Sequence, residues 1–108
     1  VRVRLRNLGI TVIYLGVPDK VETFKEFTDI YNINPENVLY MGDDIPDYHV
    51  MQLVGLPTCP QNAVQEIKGL SKYISHVDGG KGAVRDVIEQ VMKVQGKWME
   101  HFDASASD

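Results

Sequence analysis

The sequence predicts an α/β fold: a parallel sheet with helices on both faces, in the three-layer arrangement of Rossmann-like domains. Segments with strand-like and helix-like patterns alternate along the chain, which is typical of parallel sheets built from βαβ units. Two strand-like runs, residues 10–16 and 38–41, are apolar almost throughout, as expected for strands buried on both faces. The 108 residues suffice for one small domain with a single core.

The first half of the chain contains two predicted strands, each followed by a helix. Residues 1–9, "VRVRLRNLG", are interpreted as the C-terminal part of a helix that ends at the glycine. "ITVIYLG" is the first predicted strand, and residues 19–31 follow with apolar side chains at helical spacing. "VLYM" is the next strand, and residues 46–54 form a short helix. Because the chain then begins inside an element, we expect the N-terminal part of the domain to be absent from it.

The second half of the chain continues the alternation. Residues 55–63 are predicted to form a loop or a weak strand because two prolines interrupt them. Helices are predicted over residues 63–70 and 83–95, and a strand over residues 72–77. Three glycines at 79–82 predict a flexible turn before the last helix.

Composition predicts the domain organisation and argues against two classes of partner. Residues 1–102 are predicted to be the C-terminal part of a single domain, and residues 103–108, which are small and polar, a disordered tail. The net charge of −4 and the lack of a basic patch argue against nucleic acid and anionic membranes as main partners. Cys59 is the only cysteine, so a disulfide framework is excluded, and a reducing, cytoplasmic setting is expected.

Three carboxylates cluster directly after the "VLYM" strand. Asp43 and Asp44 follow Gly42, and Asp47 comes three residues later. Ligands of open α/β sheets bind beyond the carboxyl ends of the strands, which is where these side chains should lie. Crowded carboxylates raise one another's pKa, and a divalent cation would remove that cost. Hard oxygen ligands without Cys or His favour Mg²⁺.

A structural explanation competes with the metal site for two of these residues. Asp44 is a good N-cap for a helix that starts at Pro46, and Asp47 would be a favourable acid in its first turn. Neither role accounts for Asp43 beside Asp44, so both interpretations stay open.

Lys20 strengthens the hypothesis of a site at this edge. It follows the first predicted strand, so it should lie at the same edge of the sheet as the carboxylates. A cation there would balance charge on phosphoryl oxygens. The alternative is a solvated lysine, but a cation in the first turn of a helix opposes the helix dipole.

Together, "GVPDK" and "YMGDDIPD" resemble the third and fourth motifs of the haloacid dehalogenase superfamily of phosphohydrolases. The final stretch "DGGKGAVRDVIEQVMKVQGKW" is similar to that of its capless 3-deoxy-D-manno-octulosonate 8-phosphate phosphatases. The resemblance implies a Mg²⁺-dependent phosphatase acting on a phosphorylated sugar acid in lipopolysaccharide precursor synthesis. It also implies a homotetramer, in which residues 79–85 pack near a neighbouring active site.

The same resemblance implies a role for each candidate residue. Asp43 would be the direct Mg²⁺ ligand and Asp44 an accessory carboxylate beside the metal. Lys20 would hold the phosphate and balance the charge of the nucleophile, and Asp47 would position Lys20 or the loop. Arg85 would contact the substrate, although a surface residue in the first turn of a helix is an equally good interpretation.

One part of the family pattern is missing from the chain. The superfamily's D-x-D-G-x-(T/V) motif, whose first Asp takes the phosphoryl group, does not occur here, nor does the Ser or Thr of the second motif. The aspartyl-phosphate nucleophile is therefore expected outside this chain. The 108 residues alone are predicted to be inactive.

Two other functions fit the same residues. One is the phosphatase-like domain of acylneuraminate cytidylyltransferases, which has similar motifs. The other is a non-catalytic oligomerisation module built on residues 79–98. A receiver domain is disfavoured, because its acidic pair precedes its lysine by a long interval, opposite to the order here.

Overall fold

A computed structural model describes residues 2–5, 9–13, 15 and 19–94 of the chain, with side chains from residue 9 onward. Its centre is a sheet of five strands that follow one another in chain order. The strands are β1 (Arg2–Leu5), β2 (Ile10–Ile13), β3 (Val38–Met41), β4 (Leu56–Cys59) and β5 (Tyr73–Ile74). Strands β2 to β5 are parallel.

In the described part of the chain, four helices connect or follow the parallel strands. They are α1 (Lys20–Ile30), α2 (Tyr48–Met51), α3 (Gln65–Leu70) and α4 (Ala83–Val94). Two short 3₁₀ turns, Pro35–Asn37 and Ile45–Asp47, precede β3 and α2. The predicted α/β class is therefore confirmed.

The two faces of β3 show how the layers are built. Val38 and Tyr40 point into one hydrophobic cluster, while Leu39 and Met41 point into another, as the two-residue period of a strand requires. The first cluster is completed by side chains of α1, α2 and α3, and the second by side chains of α4. Helices thus cover both faces, as predicted.

The helix predicted for the first residues is wrong. Residues 2–5 form strand β1, which pairs antiparallel with β2, so that Arg2 lies opposite Ile13 and Leu5 opposite Ile10. Basic and apolar residues alternate there with a period of two, which suits a strand. Pairing with β2 also satisfies backbone groups that an isolated helical turn would leave open. The sheet is consequently mixed, with one antiparallel strand added to its parallel part.

The remaining predictions differ from the structure mainly in their bounds. The segment 46–54 forms a 3₁₀ turn and a single turn of α-helix, and α3 begins two residues later than expected. Residues 55–63, predicted to form a loop or a weak strand, contain the regular strand β4, in which Pro57 pairs with Tyr40 and accepts a hydrogen bond from the backbone of Lys72. Residues 95–108, including the predicted tail, lie outside the described residues.

Within the described part of the chain, no helix has the length and apolar character needed to cross a membrane.

Candidate functional site

The loop after β3 packs tightly because Gly42 has no side chain. A Cβ atom at Gly42 would lie 2.6 Å from Cβ of Asp47 and 2.6 Å from Sδ of Met51. The Gly42 N–H donates to the carbonyl of Thr58 in the neighbouring strand. The glycine therefore lets the 3₁₀ turn fold back over the end of β3 and brings Asp47 beneath the loop.

Asp47 is the centre of this loop. Its side chain is fully buried, and its two carboxylate oxygens accept four hydrogen bonds from residues that the structure describes. Oδ1 accepts from Nζ of Lys20 and from the hydroxyl of Tyr40, each at 2.7 Å. Oδ2 accepts from the backbone N–H groups of Asp43 at 3.0 Å and Asp44 at 3.3 Å. Burial alone would raise the pKa of Asp47, but these donors outweigh it and lower the pKa.

Lys20 reaches the site from the carboxyl end of the neighbouring strand β2. It is the first residue of α1, and its side chain is 14 % exposed. Since β2 and β3 are parallel neighbours, the residues that follow them meet at one edge of the sheet. The structure thus brings Lys20 and Asp47, two of the predicted site residues, into direct contact.

Asp44 is the N-cap of the 3₁₀ turn. Its side chain accepts a hydrogen bond from the N–H of Ile45 at 2.7 Å and forms a reciprocal capping box with Asp47. This is the N-cap arrangement that competes with a metal ligand in the sequence. Asp44 is exposed.

Of the three loop carboxylates, Asp43 takes part in neither the cap of the 3₁₀ turn nor the ion pair with Lys20 in the described structure. It is exposed at the loop surface. Partial desolvation of its carboxyl group by the loop raises the pKa of Asp43. The negative charge of Asp47 and a hydrogen bond with it raise the pKa further, while Lys20 acts in the opposite direction. A cation bound at Asp43 would reverse this destabilisation of the charged form.

The donor set is compatible with magnesium. Mg²⁺ needs only one or two carboxylates and keeps water or phosphate oxygens in its other positions, so Asp43 fits as one ligand. Among the residues that the structure describes, no three His, Cys, Asp or Glu side chains lie close enough together to hold a metal. The rest of a coordination shell would have to come from water, substrate or other parts of the protein.

A cleft of about 520 Å³ opens beside Asp43. Its walls come from the ends of β3 and β4, the glycine turn and the start of α4, through Met41, Asp43, Pro60, Asn62, Gly79, Gly80, Gly82, Ala83 and Val84. Gly80 and Gly82 have φ angles of +80° and +98°, which other residues adopt only with strain. The side-chain oxygen of Asn62 accepts the N–H of Gly79 at 2.9 Å and ties this turn to the loop after β4.

Arg85 is not brought to the Lys20–Asp47 pair. It is exposed on the first turn of α4 and does not line the cleft, although its neighbour Val84 does. Its predicted contact with substrate stays a prediction.

Sequence reasoning missed Tyr40. This residue lies inside the apolar run of β3, where its ring is fully buried and its hydroxyl contacts Asp47. The available signal was the tyrosine itself, because a buried tyrosine hydroxyl needs a hydrogen-bond partner.

Known proteins match this chain in both sequence and structure. A sequence model of haloacid dehalogenase-like hydrolases matches residues 8–88. The chain is 38% identical, over 94 residues, to the 3-deoxy-D-manno-octulosonate 8-phosphate phosphatase KdsC of Salmonella typhi, with 87% of this chain and 50% of that protein covered. The chain thus spans about half the length of the curated relatives it matches.

Two solved structures show the same likeness. The 3-deoxy-D-manno-octulosonate 8-phosphate phosphatase of Moraxella catarrhalis, in complex with magnesium ion, phosphate ion and a KDO molecule, superposes with a TM-score of 0.73 at 31% identity, covering 83% of this chain and 51% of that one. The Yersinia pestis phosphatase of the same name gives a TM-score of 0.72 at 33% identity, covering 78% and 45%.

Proposed function

This chain belongs to the haloacid dehalogenase-like hydrolase family, and on that premise we propose that it supplies the cation-binding and phosphate-holding part of a magnesium-dependent phosphatase. The observation that carries the proposal is the contact between Lys20 and Asp47 beside the carboxylate of Asp43. This contact supports the proposal, because a fixed positive charge and a carboxylate suited to binding a cation would then lie at one edge of the sheet.

Lys20 would bind and stabilise the phosphoryl group. An ammonium group has three donors, and the structure gives one of them to Asp47. The others can reach phosphate oxygens, whose negative charge a preorganised cation stabilises most strongly in the transition state. Asp47 keeps the ammonium group in place, because its own four hydrogen bonds fix it to the loop and to β3.

Asp43 would hold the magnesium ion, with Asp44 as an accessory carboxylate. When bound, the ion would neutralise charge on the phosphoryl oxygens. Asp44 is committed to capping the 3₁₀ turn in the structure, so its contribution would pass through the position of the loop and through its charge.

The proposed substrate is 3-deoxy-D-manno-octulosonate 8-phosphate, a lipopolysaccharide precursor, and the products would be KDO and phosphate. The support is the identity of 38% to phosphatases named for this substrate and the magnesium, phosphate and KDO in a related structure. The cleft beside Asp43 would take the sugar-acid part. Arg85 is proposed as a further substrate contact on the family resemblance.

The phosphoryl group would pass through an aspartyl-phosphate whose nucleophile lies outside this chain. An aspartate oxygen forms a bond to phosphorus as the bond to the sugar oxygen breaks. The second aspartate of the D-x-D motif, which the resemblance implies to be the acid and base, would protonate that oxygen, so the sugar leaves as its alcohol. The same aspartate would then take a proton from the water that attacks the phosphoaspartate, which releases phosphate and restores the carboxylate. A homotetramer in the cytoplasm completes the proposal. The tetramer rests on the resemblance, and the cytoplasmic setting rests on the single cysteine of the sequence.

The test uses the protein that contains this chain together with the first two family motifs. Phosphate release from 3-deoxy-D-manno-octulosonate 8-phosphate and from an aryl phosphate is measured across a magnesium titration. Asp43→Asn should weaken magnesium binding and abolish turnover, because a neutral amide is a poor ligand for a hard cation. Asp29→Asn, which changes an exposed carboxylate on α1, is the matched control.

Each part of the proposal can fail separately. An Asp43→Asn protein with the magnesium response of the wild type would overturn the metal assignment. Release of phosphate from neither substrate would overturn the function. Magnesium-dependent turnover by the 108-residue chain on its own would show that the nucleophile lies within it.

A further inference from the structure

We infer that Tyr40 is a positioning residue of the proposed phosphatase site, whose hydroxyl fixes the Asp47 oxygen that holds Lys20. The inference rests on the proposed function, because it assigns Tyr40 a part in turnover beyond its place in the core.

The geometry gives the two carboxylate oxygens of Asp47 separate partners. Oδ2 is held by the backbone of the loop through the N–H groups of Asp43 and Asp44. Oδ1 is shared by Lys20 and Tyr40, each at 2.7 Å. The position of Lys20 therefore depends on where Oδ1 lies, and only Tyr40 and Lys20 donate to Oδ1 among the hydrogen bonds described for it.

The two donors on Oδ1 differ in rigidity. Tyr40 lies in the middle of the sheet, between β2 and β4, with its side chain fully buried. Its hydroxyl depends on two side-chain torsions, both restricted by packing. The ammonium group of Lys20 ends a flexible four-carbon chain at the first residue of α1. The Tyr40 hydroxyl consequently fixes the position of Oδ1 of Asp47, and this oxygen in turn orients the ammonium group of Lys20.

A purely structural role makes a different prediction. A buried hydroxyl needs a partner, so Tyr40 could serve stability alone. The chain contains a matched example: the hydroxyl of Tyr73 donates to Oδ2 of Asp86 at 2.8 Å. This second tyrosine–aspartate hydrogen bond joins β5 to α4 and has no contact with Lys20 or Asp47.

The experiment compares Tyr40→Phe with Tyr73→Phe in the full protein, measuring thermal unfolding together with kcat and KM for the sugar-acid phosphate. Each variant keeps its ring and loses one hydroxyl. Both should lower the Tm by a few degrees. Only Tyr40→Phe should lower kcat, by about tenfold, the effect of one charge-assisted hydrogen bond. Its KM should stay within about twofold, because the lost interaction acts in the transition state.

A double variant tests whether Tyr40 acts through Lys20. In the Lys20→Met background, adding Tyr40→Phe should lower kcat no further, since the group being positioned is gone. A multiplicative loss in that background would overturn the inference. So would an unchanged kcat in Tyr40→Phe, or a Tyr40→Phe protein that does not fold, because each leaves the hydroxyl with a structural role only. If the wild type releases no phosphate, the proposed function and this inference both fall.

Discussion

The ammonium group of Lys20 lies 2.7 Å from Oδ1 of Asp47, although 27 positions separate the two residues in the chain. One begins the helix after β2, and the other ends the 3₁₀ turn after β3. Their ion pair links the carboxyl ends of the neighbouring strands β2 and β3. Asp47 is fully buried and Lys20 nearly so, so the pair is shielded from solvent and keeps more of its strength than a surface ion pair would.

Removing the Lys20 charge should impair turnover far more than folding. In the full protein, on the proposed function, we expect Lys20→Ala to lower kcat by about two to three orders of magnitude, as loss of one preorganised donor to a transition state does. The fold should persist, because Asp47 keeps three other donors. Lys25→Ala, an exposed position on the same helix, should leave kcat unchanged. Steady-state kinetics and circular dichroism check both variants, and a Lys20→Ala enzyme near the wild-type rate would show that the Lys20 charge takes no part in turnover.

A methyl group at Gly42 should displace the site. In Gly42→Ala the new Cβ would overlap Cβ of Asp47 and Sδ of Met51, and relieving that contact must move the carboxylate. We expect a loss of about 1–3 kcal/mol in the free energy of unfolding, as for overpacked cores, together with a lower kcat.

Gly69 offers the matched control for this overlap. It lies within α3, and a Cβ atom added there would meet no atom within 4 Å. Gly69→Ala should therefore be neutral or stabilise the protein by up to about 1 kcal/mol. Urea denaturation measures both variants. Equal effects of the two substitutions would show that the loop after β3 tolerates a side chain.

Asp86 should make stability depend on acid pH. This buried carboxylate on α4 accepts hydrogen bonds from Tyr73 and Ser75 of the β5 segment and from Gln90. Burial would raise its pKa, but these donors and His76 outweigh burial and lower the pKa. Between its folded and unfolded pKa values, the unfolded state binds more protons, so the stabilisation is present above the unfolded value near about 4 and is lost as the pH falls through the folded one.

The variant Asp86→Asn isolates this effect. At neutral pH it should be less stable than the wild type by about 2 kcal/mol, the contribution of hydrogen bonds to a charged group. The difference should shrink as the pH is lowered from about 5 to about 2, a range that brackets the reference pKa of an aspartate carboxyl group. Exposed Asp78→Asn is the control. A stability difference between the wild type and Asp86→Asn that stays constant over this pH range would contradict the lowered pKa of Asp86.

Tyr73 should make the stability of the protein depend on pH in the alkaline range. Burial, followed by its hydrogen bond to the negative Asp86, raises the pKa of Tyr73 to about 12. Because the folded state holds this proton more tightly than the unfolded state, the stabilisation is present below about pH 10 and is lost as the pH rises through the folded pKa. Ultraviolet titration of tyrosinate should show a transition near pH 12 that Tyr73→Phe removes and Tyr31→Phe retains. A Tyr73→Phe protein with the full transition would refute the assignment.

The sequence was sufficient for the class of fold and for the identity of most candidate residues. Apolar runs and helical spacing have short periods, so they mark strands and helices without knowledge of the partners. The carboxylates after "VLYM" and Lys20 after the first strand could be placed at one edge, since parallel strands end at the same side of a sheet. The prediction fails for residues 2–5, because Gly9 favours the end of a helix there, while the alternation of basic and apolar residues has the two-residue period of a strand. The pairing with β2 distinguishes the two.

The tertiary structure alone decided how those residues are used. It joined Lys20 to Asp47, assigned Asp44 to the cap, left Asp43 at the surface beside the cleft, and revealed Tyr40 as a second donor on Oδ1. Sequence spacing could not show these contacts, because they depend on the register of β2 against β3 and on the close packing that Gly42 allows. Side-chain contacts between distant positions are set by the packing of whole elements, and that information is not local in the chain.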